Sequence, residues 1–323
     1  MTPGTTTHIF PVTEYDLDAT LNSGQAFRWE KHFETWTGVI GRNRVRLRSK
    51  PDAITAETDQ EVSDWSWLEN YLQLNVDLPA LLQTFPEDEP MRAAVTVCRG
   101  LRLLRQDPWE CLASFILSST KQIVQIRQII GTLCERFGEP LHALQPSRML
   151  YSFPSPARLA QATEAELRAC KMGFRAPYLL AAAKAIDAGA LELGGLHSLP
   201  VDSARIELMR LSGVGRKIAD CVLLFGYGAQ TAFPIDVWIA KALRQLYFPR
   251  RKPNFQRLQH FAATHFGPYS GYAQQYLFHY MRTKNLADKE RTPIARPRSC
   301  PDQRRKKNSC SPRGTNVVVP VIR

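Results

Sequence analysis

Over residues 1–88 apolar and polar positions alternate with a period near two. The alternation runs through Ala26-Phe27-Arg28-Trp29-Glu30, resumes in Thr35-Trp36-Thr37-Gly38-Val39-Ile40 and continues in Arg44-Val45-Arg46-Leu47-Arg48. This is the pattern of strands with one buried and one solvated face. Gly41-Arg42-Asn43 breaks the last two runs as a hairpin turn would. From residue 89 the period becomes helical, with apolar residues on one face in Ile116, Ile123, Ile126, Ile130 and Leu133, and again in Leu167, Tyr178, Leu179, Ala182 and Ile186. Pro and Gly punctuate this region at Asp107-Pro108, Gly138, Pro154-Ser155-Pro156, Gly194-Gly195, Gly213, Gly215 and Gly267-Pro268, so many short helices are predicted. Periodicity stops after Arg282. The pattern predicts an α+β chain: an antiparallel β domain over 1–88, an all-α domain over 89–288, and a basic, disordered tail over 289–323.

Composition sharpens the picture in two places. The chain has 323 residues and a formal charge of +12, but residues 289–323 hold ten lysines and arginines against two acids, so the other 288 residues carry only +4. Global charge therefore says little about partners, and specific residues must carry the argument. No run of eighteen apolar residues exists, and Met1–His8 lacks the blocks of a signal peptide, so no membrane association is expected. Seven cysteines, an odd number without CxxC spacing, read as free thiols in a reducing compartment. The seven histidines show no paired ligand spacing, and no metal site is expected.

The most informative stretch is Leu211-Ser212-Gly213-Val214-Gly215-Arg216-Lys217-Ile218-Ala219-Asp220-Cys221. Two glycines around one apolar residue permit a tight turn with positive φ and expose backbone N–H groups at a helix start, where an anion can sit. An ordinary helix-turn-helix corner has the same signature. Lys217 falls in the first turn of the second helix, where the helix dipole disfavours a cation, a setting suited to a nucleophilic amine. It is equally compatible with a solvated lysine touching phosphate. Nineteen residues on, Phe233-Pro234-Ile235-Asp236-Val237-Trp238 sets one carboxylate at the start of another helix, as a catalytic group or as an N-cap.

Together these features resemble the helix-hairpin-helix and the Gly/Pro-rich loop with its Asp of the DNA glycosylase superfamily, and the lysine after the hairpin is similar to the bifunctional glycosylase/lyase members. Four further segments resemble the 8-oxoguanine DNA glycosylase branch: Ser23-Gly24-Gln25-Ala26-Phe27-Arg28-Trp29, Asp107-Pro108-Trp109-Glu110-Cys111, Gly173-Phe174-Arg175-Ala176-Pro177-Tyr178 and Ala273-Gln274-Gln275-Tyr276-Leu277-Phe278. The resemblance covers most of residues 15–285.

What the resemblance implies is a base flipped from the duplex into a pocket. The backbone carbonyl of Gly24 would accept the N7 hydrogen that distinguishes 8-oxoguanine from guanine. Phe278 and Cys221 would stack on the two faces of the base, and Gln274 would bond its Watson–Crick edge. Taken singly, Phe278 and Cys221 read as core and Gly24 as a turn. Lys217 would attack C1′ of the sugar, form a Schiff base and permit β-elimination, while Asp236 would stabilise positive charge on the sugar. The hairpin amides of Gly213, Val214 and Gly215 would hold a phosphate, with or without a monovalent ion, and no cofactor is needed for bond cleavage. Phe174 would wedge into the duplex beside Arg175, which would read the orphaned cytosine.

Some positions depart from the pattern. Thr120 stands where the eukaryotic type has an Asn that fills the gap beside that cytosine, Gln125 where it has an Arg, and Trp238 where a phosphate-contacting His is usual. No four-Cys cluster follows the helical domain, against the iron–sulfur relatives. A monofunctional alkylpurine glycosylase would share the architecture and the Asp but lack the lysine; a non-catalytic hairpin module would need neither Asp236 nor the Ser23-Gly24-Gln25 segment. The expected partner is double-stranded DNA containing an oxidised purine, bound by a monomer. The expected location is the cytoplasm with the nucleoid in a prokaryote, or the nucleus in a eukaryote, where Arg304-Arg305-Lys306-Lys307 reads as a nuclear signal or a solvated basic patch.

Overall fold

A computed structural model describes residues 4–119, 121–141 and 149–291, with side chains as far as Lys284. The alternating N-terminal segment forms one antiparallel sheet of β1 (Thr6–Pro11), β2 (Trp29–His32), β3 (Thr35–Ile40), β4 (Asn43–Lys50) and β5 (Ala53–Thr58) in the order β1-β5-β4-β3-β2. Ile40 pairs with Asn43 across the expected hairpin, and Gly41 takes φ +57° in its two-residue turn. Apolar positions of the strands, among them Phe10, Trp36, Val45, Leu47 and Ile54, pack beneath α1 (Leu17–Asn22) and α2 (Ser66–Leu72). On the opposite phase Arg44 and Arg46 pair with Asp59, and Arg46 and Arg48 with Glu57. Gly38 faces Trp29 across β2 and β3. A Cβ there would come within 2.5 Å of the indole, so the glycine lets the buried ring lie flat on the sheet.

One strand begins later than the alternation predicts. Residues 23–28 form a loop, because the buried Gln25 side chain pulls them off the sheet and onto the extended segment 101–106. Its Nε2 donates to Thr20 O and Arg102 O at 3.0 and 2.8 Å, and its Oε1 accepts Leu104 N–H at 2.7 Å. Phe27 consequently packs into the helical core rather than the sheet core.

The helical part contains α3 (Leu78–Leu82), α4 (Glu89–Val97), α5 (Pro108–Ser118), α6 (Ile123–Phe137), α7 (Pro156–Ala160), α8 (Glu164–Leu167), α9 (Ala176–Asp187), α10 (Val201–Met209), α11 (Arg216–Val222), α12 (Val237–Tyr247), α13 (Phe255–His265) and α14 (Ser270–Arg291). The predicted helix starts at Asp107, Ser155 and Asp236 are caps, as are Asp77, Asp88 and Asn254, which the pattern did not mark: each accepts a backbone N–H from the first turn it precedes. The two cores interleave across residue 88. Leu78, Leu81 and Phe85 already belong to the helical core, whereas Leu104 returns to the sheet core. Helix α14 also runs past the point where periodicity fades, to Arg291, so the first three residues of the expected tail are helical; residues 292–323 lie outside the described residues. No helix among the described residues is long and apolar enough to cross a membrane.

Candidate active site

The hairpin joins α10 to α11. Gly213 turns the chain at φ +81°, and its missing side chain admits the Tyr178 ring, whose Cγ would lie 2.4 Å from a Cβ. Gly215 caps α11 in an extended conformation, so only one of the two glycines uses positive φ. Val214 is buried and its N–H donates to Leu211 O at 3.1 Å. This corrects the expectation that all three hairpin amides face a phosphate: the Val214 amide is spent closing the turn. Arg205 of α10 donates to Asp220 of α11 at 2.6 Å, both side chains buried, which fixes the angle between the two helices.

On α11, Lys217 and Cys221 lie one turn apart on the same face. Lys217 is half-buried, with Nζ 3.3 Å from Ser118 Oγ and 5.0 Å from the centre of the Phe115 ring. Ser118 donates its own proton to Phe115 O at 2.8 Å, which leaves its lone pairs to receive the lysine N–H. Phe115 stacks on Phe225 and meets Phe27 edge-on, so the amine stands on an aromatic floor. Cys221 is buried, and burial pushes its thiol up to about 12 despite the neighbouring Lys217; it is a neutral group. Asp236 accepts Ile239 N–H at 2.7 Å as the N-cap of α12 and faces the same cavity as Lys217. Burial raises its carboxyl above the ordinary value, opposed by the Ile239 bond and then by Lys217. The cap and the place in the cavity wall are thus two properties of one side chain.

Opposite α11, Gly24 takes φ +82°, and a Cβ there would lie 2.9 Å from Ile123 Cδ1 and 3.5 Å from Phe278 Cε1. The Gln25 bonds fix the loop from one side, and Gln275 Nε2 fixes it from the other by donating to Ser23 O at 3.1 Å. Arg282 Nη1 donates to Asn22 O at 2.7 Å. Neighbouring Gln274 is buried, and its Oε1 has no hydrogen-bond partner. A buried acceptor left unsatisfied is costly unless something meets it. Gly24, Lys217, Cys221, Asp236, Gln274 and Phe278 all line one cavity of about 460 Å³, with Ser118, Trp238 and Arg282 among its other walls. Sequence reasoning missed Ser118, Gln25 and Gln275. The segments that carry the resemblance pointed to the two glutamines, but nothing in the sequence marks Ser118.

Other expected residues stand outside that cavity. Phe174 is 54% exposed at the tip of the turn Gly173–Arg175, edge-on to Tyr178, so the exposed ring and the hairpin glycine share one support. Arg175 is buried beneath it, donates to Met172 O at 3.3 Å and lies 4.3 Å from the Phe174 ring centre. Gln125 accepts Gln122 N–H at 3.2 Å and so helps to start α6. Thr120 lies outside the described residues. The five cysteines among the described residues are free and buried, and no group of three or more metal-ligating side chains occurs there.

Residues 8–112 match the model of the 8-oxoguanine DNA glycosylase N-terminal domain, and residues 113–264 that of the HhH-GPD superfamily of base excision DNA repair proteins. The boundary between them falls inside α5, consistent with cores that interleave. A sheet docked on a helix-hairpin-helix domain, with lysine and aspartate in one cavity, is the architecture of a base excision repair glycosylase. The chain is similar to a probable N-glycosylase/DNA lyase of Methanothermobacter thermautotrophicus, 30% identical over 87% of this chain and 98% of the relative. It is similar to the structure of MBOgg1 in complex with a low-affinity DNA ligand (TM-score 0.82, 34% identity, 87% of this chain and 96% of the other). It is also similar to Clostridium acetobutylicum 8-oxoguanine glycosylase/lyase in complex with DNA containing cytosine opposite 8-oxoguanine (TM-score 0.81, 29% identity, 88% and 100%). The chain belongs to the 8-oxoguanine DNA glycosylase family and is a DNA glycosylase of the N-glycosylase/DNA lyase type.

Proposed function

We propose that the enzyme excises 8-oxoguanine from duplex DNA through a Schiff base on Lys217 and then cuts the strand by β-elimination. The observation that carries this reading is the convergence of Lys217, Asp236, Gly24, Cys221, Gln274 and Phe278 on one cavity. The base enters between the Phe278 ring and the neutral Cys221 thiol, with its N7 hydrogen toward the Gly24 carbonyl and its Watson–Crick edge toward Gln274, whose Oε1 needs a donor. Guanine carries a lone pair at N7 and would set acceptor against acceptor, so discrimination comes from a penalty on the wrong base.

As the N-glycosidic bond breaks, its electron pair leaves with the base, which takes up a proton. The Nζ lone pair of Lys217 bonds to C1′, and Nζ loses a proton. Asp236 stabilises the positive charge on the sugar in a cavity with an aromatic floor. Ring opening gives the Schiff base; loss of a C2′ proton then expels the 3′ phosphate, and hydrolysis frees the lysine. Ser118 holds Nζ on the path. The hairpin and the exposed Phe174 contact the duplex.

The test is product analysis on duplexes carrying 8-oxoguanine, guanine or 3-methyladenine at one position. Release of 8-oxoguanine with strand scission, and no release of guanine, is expected. Release of 3-methyladenine without scission would replace this reading with a monofunctional alkylpurine glycosylase.

A further inference from the structure

The base cavity accounts for one extruded nucleotide, yet the duplex beside it carries phosphates that also need a surface. Next to that cavity lies a wider groove of about 960 Å³ into which five cations project: Lys241 and Arg244 of α12, Arg251 and Lys252 of the loop after it, and Lys284 of α14. No carboxylate lines it. Among the described residues none of the five has an acidic partner, whereas the arginines of the sheet are matched with Asp59 and Glu57. Since the chain outside its last 35 residues carries only +4, this grouping is not a general excess of charge.

Two helices link the groove to the base cavity. Trp238 lines the cavity and Lys241, one turn along α12, lines the groove; Arg282 lines the cavity and Lys284, on α14, lines the groove. Helix α12 has 11 residues. Its length of roughly 16 Å matches the rise of about four phosphates of one strand, at ~3.4 Å each measured along the duplex axis.

We propose that this groove is a second phosphate track that grips the backbone of the duplex flanking the extruded nucleotide. The proposal rests on the base-pocket reading above. Such contacts carry no sequence or lesion information and set affinity and register.

The test is equilibrium binding by fluorescence anisotropy over a range of salt, using 8-oxoguanine duplexes and undamaged duplexes. Full-length enzyme is compared with a variant carrying Lys241→Gln, Arg244→Gln, Arg251→Gln and Lys252→Gln together; single Lys241→Glu and Lys252→Glu variants stand in if the quadruple change does not fold. Affinity should fall tenfold or more, at roughly 50 mM salt, equally on both duplexes, and the log–log salt slope should become shallower by about 0.9 for each phosphate that is no longer neutralised. Trimming the duplex on one side of the lesion should weaken wild type by the same factor and abolish the difference from the variant, while trimming the other side should not. An unchanged slope and affinity in the variants, or wild-type binding indifferent to both trims, would overturn the groove. The ratio of lesion to undamaged binding in wild type reports the base pocket separately, so the two readings fail in distinguishable ways.

Discussion

Replacing Asp236 separates the helix cap from the catalytic role proposed for its carboxylate. Its Oδ1 accepts Ile239 N–H at 2.7 Å as a helix cap, and the same group faces Lys217's cavity. Asn caps a helix nearly as well as Asp, whereas Ala forfeits about 1 kcal/mol. Burial raises the Asp236 carboxyl, so the folded chain holds this proton more tightly than the unfolded one. The group's contribution to stability therefore falls as pH rises from the ordinary carboxylate value through the raised one, and Asn removes that loss. At pH 7 Asp236→Asn should melt at or above wild type, while Asp236→Ala, relieved of the same buried charge but without a cap, should melt roughly 2–4 °C below the Asn variant. Both lose the charge that meets the developing cation, so kcat should drop by a factor on the order of 10²–10³ in each, about 2.7–4 kcal/mol. Scanning fluorimetry and single-turnover excision on one 8-oxoguanine duplex measure the two effects. With the ionised carboxylate as the working form, the wild-type rate should fall with acid through a pKa above the ordinary ~3.9, a limb that Asn abolishes. An Asn variant with wild-type turnover would leave Asp236 as a cap alone, with no part in the chemistry.

Gly24→Ala should weaken binding to lesion DNA while sparing undamaged DNA, because the new methyl points at Ile123 and Phe278 and φ +82° adds about 1–2 kcal/mol of strain; equal losses on both duplexes would point to a general loop defect. Ser118→Ala should slow single-turnover excision by a factor on the order of ten to a hundred with little change in DNA affinity, and Ser118→Thr should restore it, since the hydroxyl positions Nζ; a wild-type rate in the Ala variant would remove Ser118 from the account. The Cys221 thiol, buried and pushed up to about 12, should resist iodoacetamide at pH 8 until the protein unfolds; modification at the same rate in native enzyme would contradict its placement.

The sheet was legible because Val45 and Leu47 enter the core while Arg44, Arg46 and Arg48 pair outside it, so a period of two survives in the string of letters. The loop at residues 23–28 was not, because Ala26, Phe27 and Trp29 are all buried, but in two different cores. Alternation cannot tell which neighbour a buried residue meets. Helix starts were readable at Asp107-Pro108 and Asp236, where cap chemistry is local. That Gly24, Lys217, Cys221, Asp236, Gln274 and Phe278 share one cavity was legible through clustered segments, each of which reads as packing when alone. Ser118 stayed invisible because its value comes from a contact across 99 positions of sequence and from where its proton goes. The Val214 amide was misassigned for a similar reason: a turn rich in glycine advertises free amides, but the turn's own closure consumes one.

Borohydride trapping shows whether Lys217 is the nucleophile. Wild type and Lys217→Gln would each be incubated with a duplex bearing one 8-oxoguanine opposite each of the four bases in turn. A covalent adduct in wild type, and none in a Lys217→Gln variant that still binds the lesion, is the predicted result. An adduct in the variant, or none in wild type with DNA bound, would contradict it.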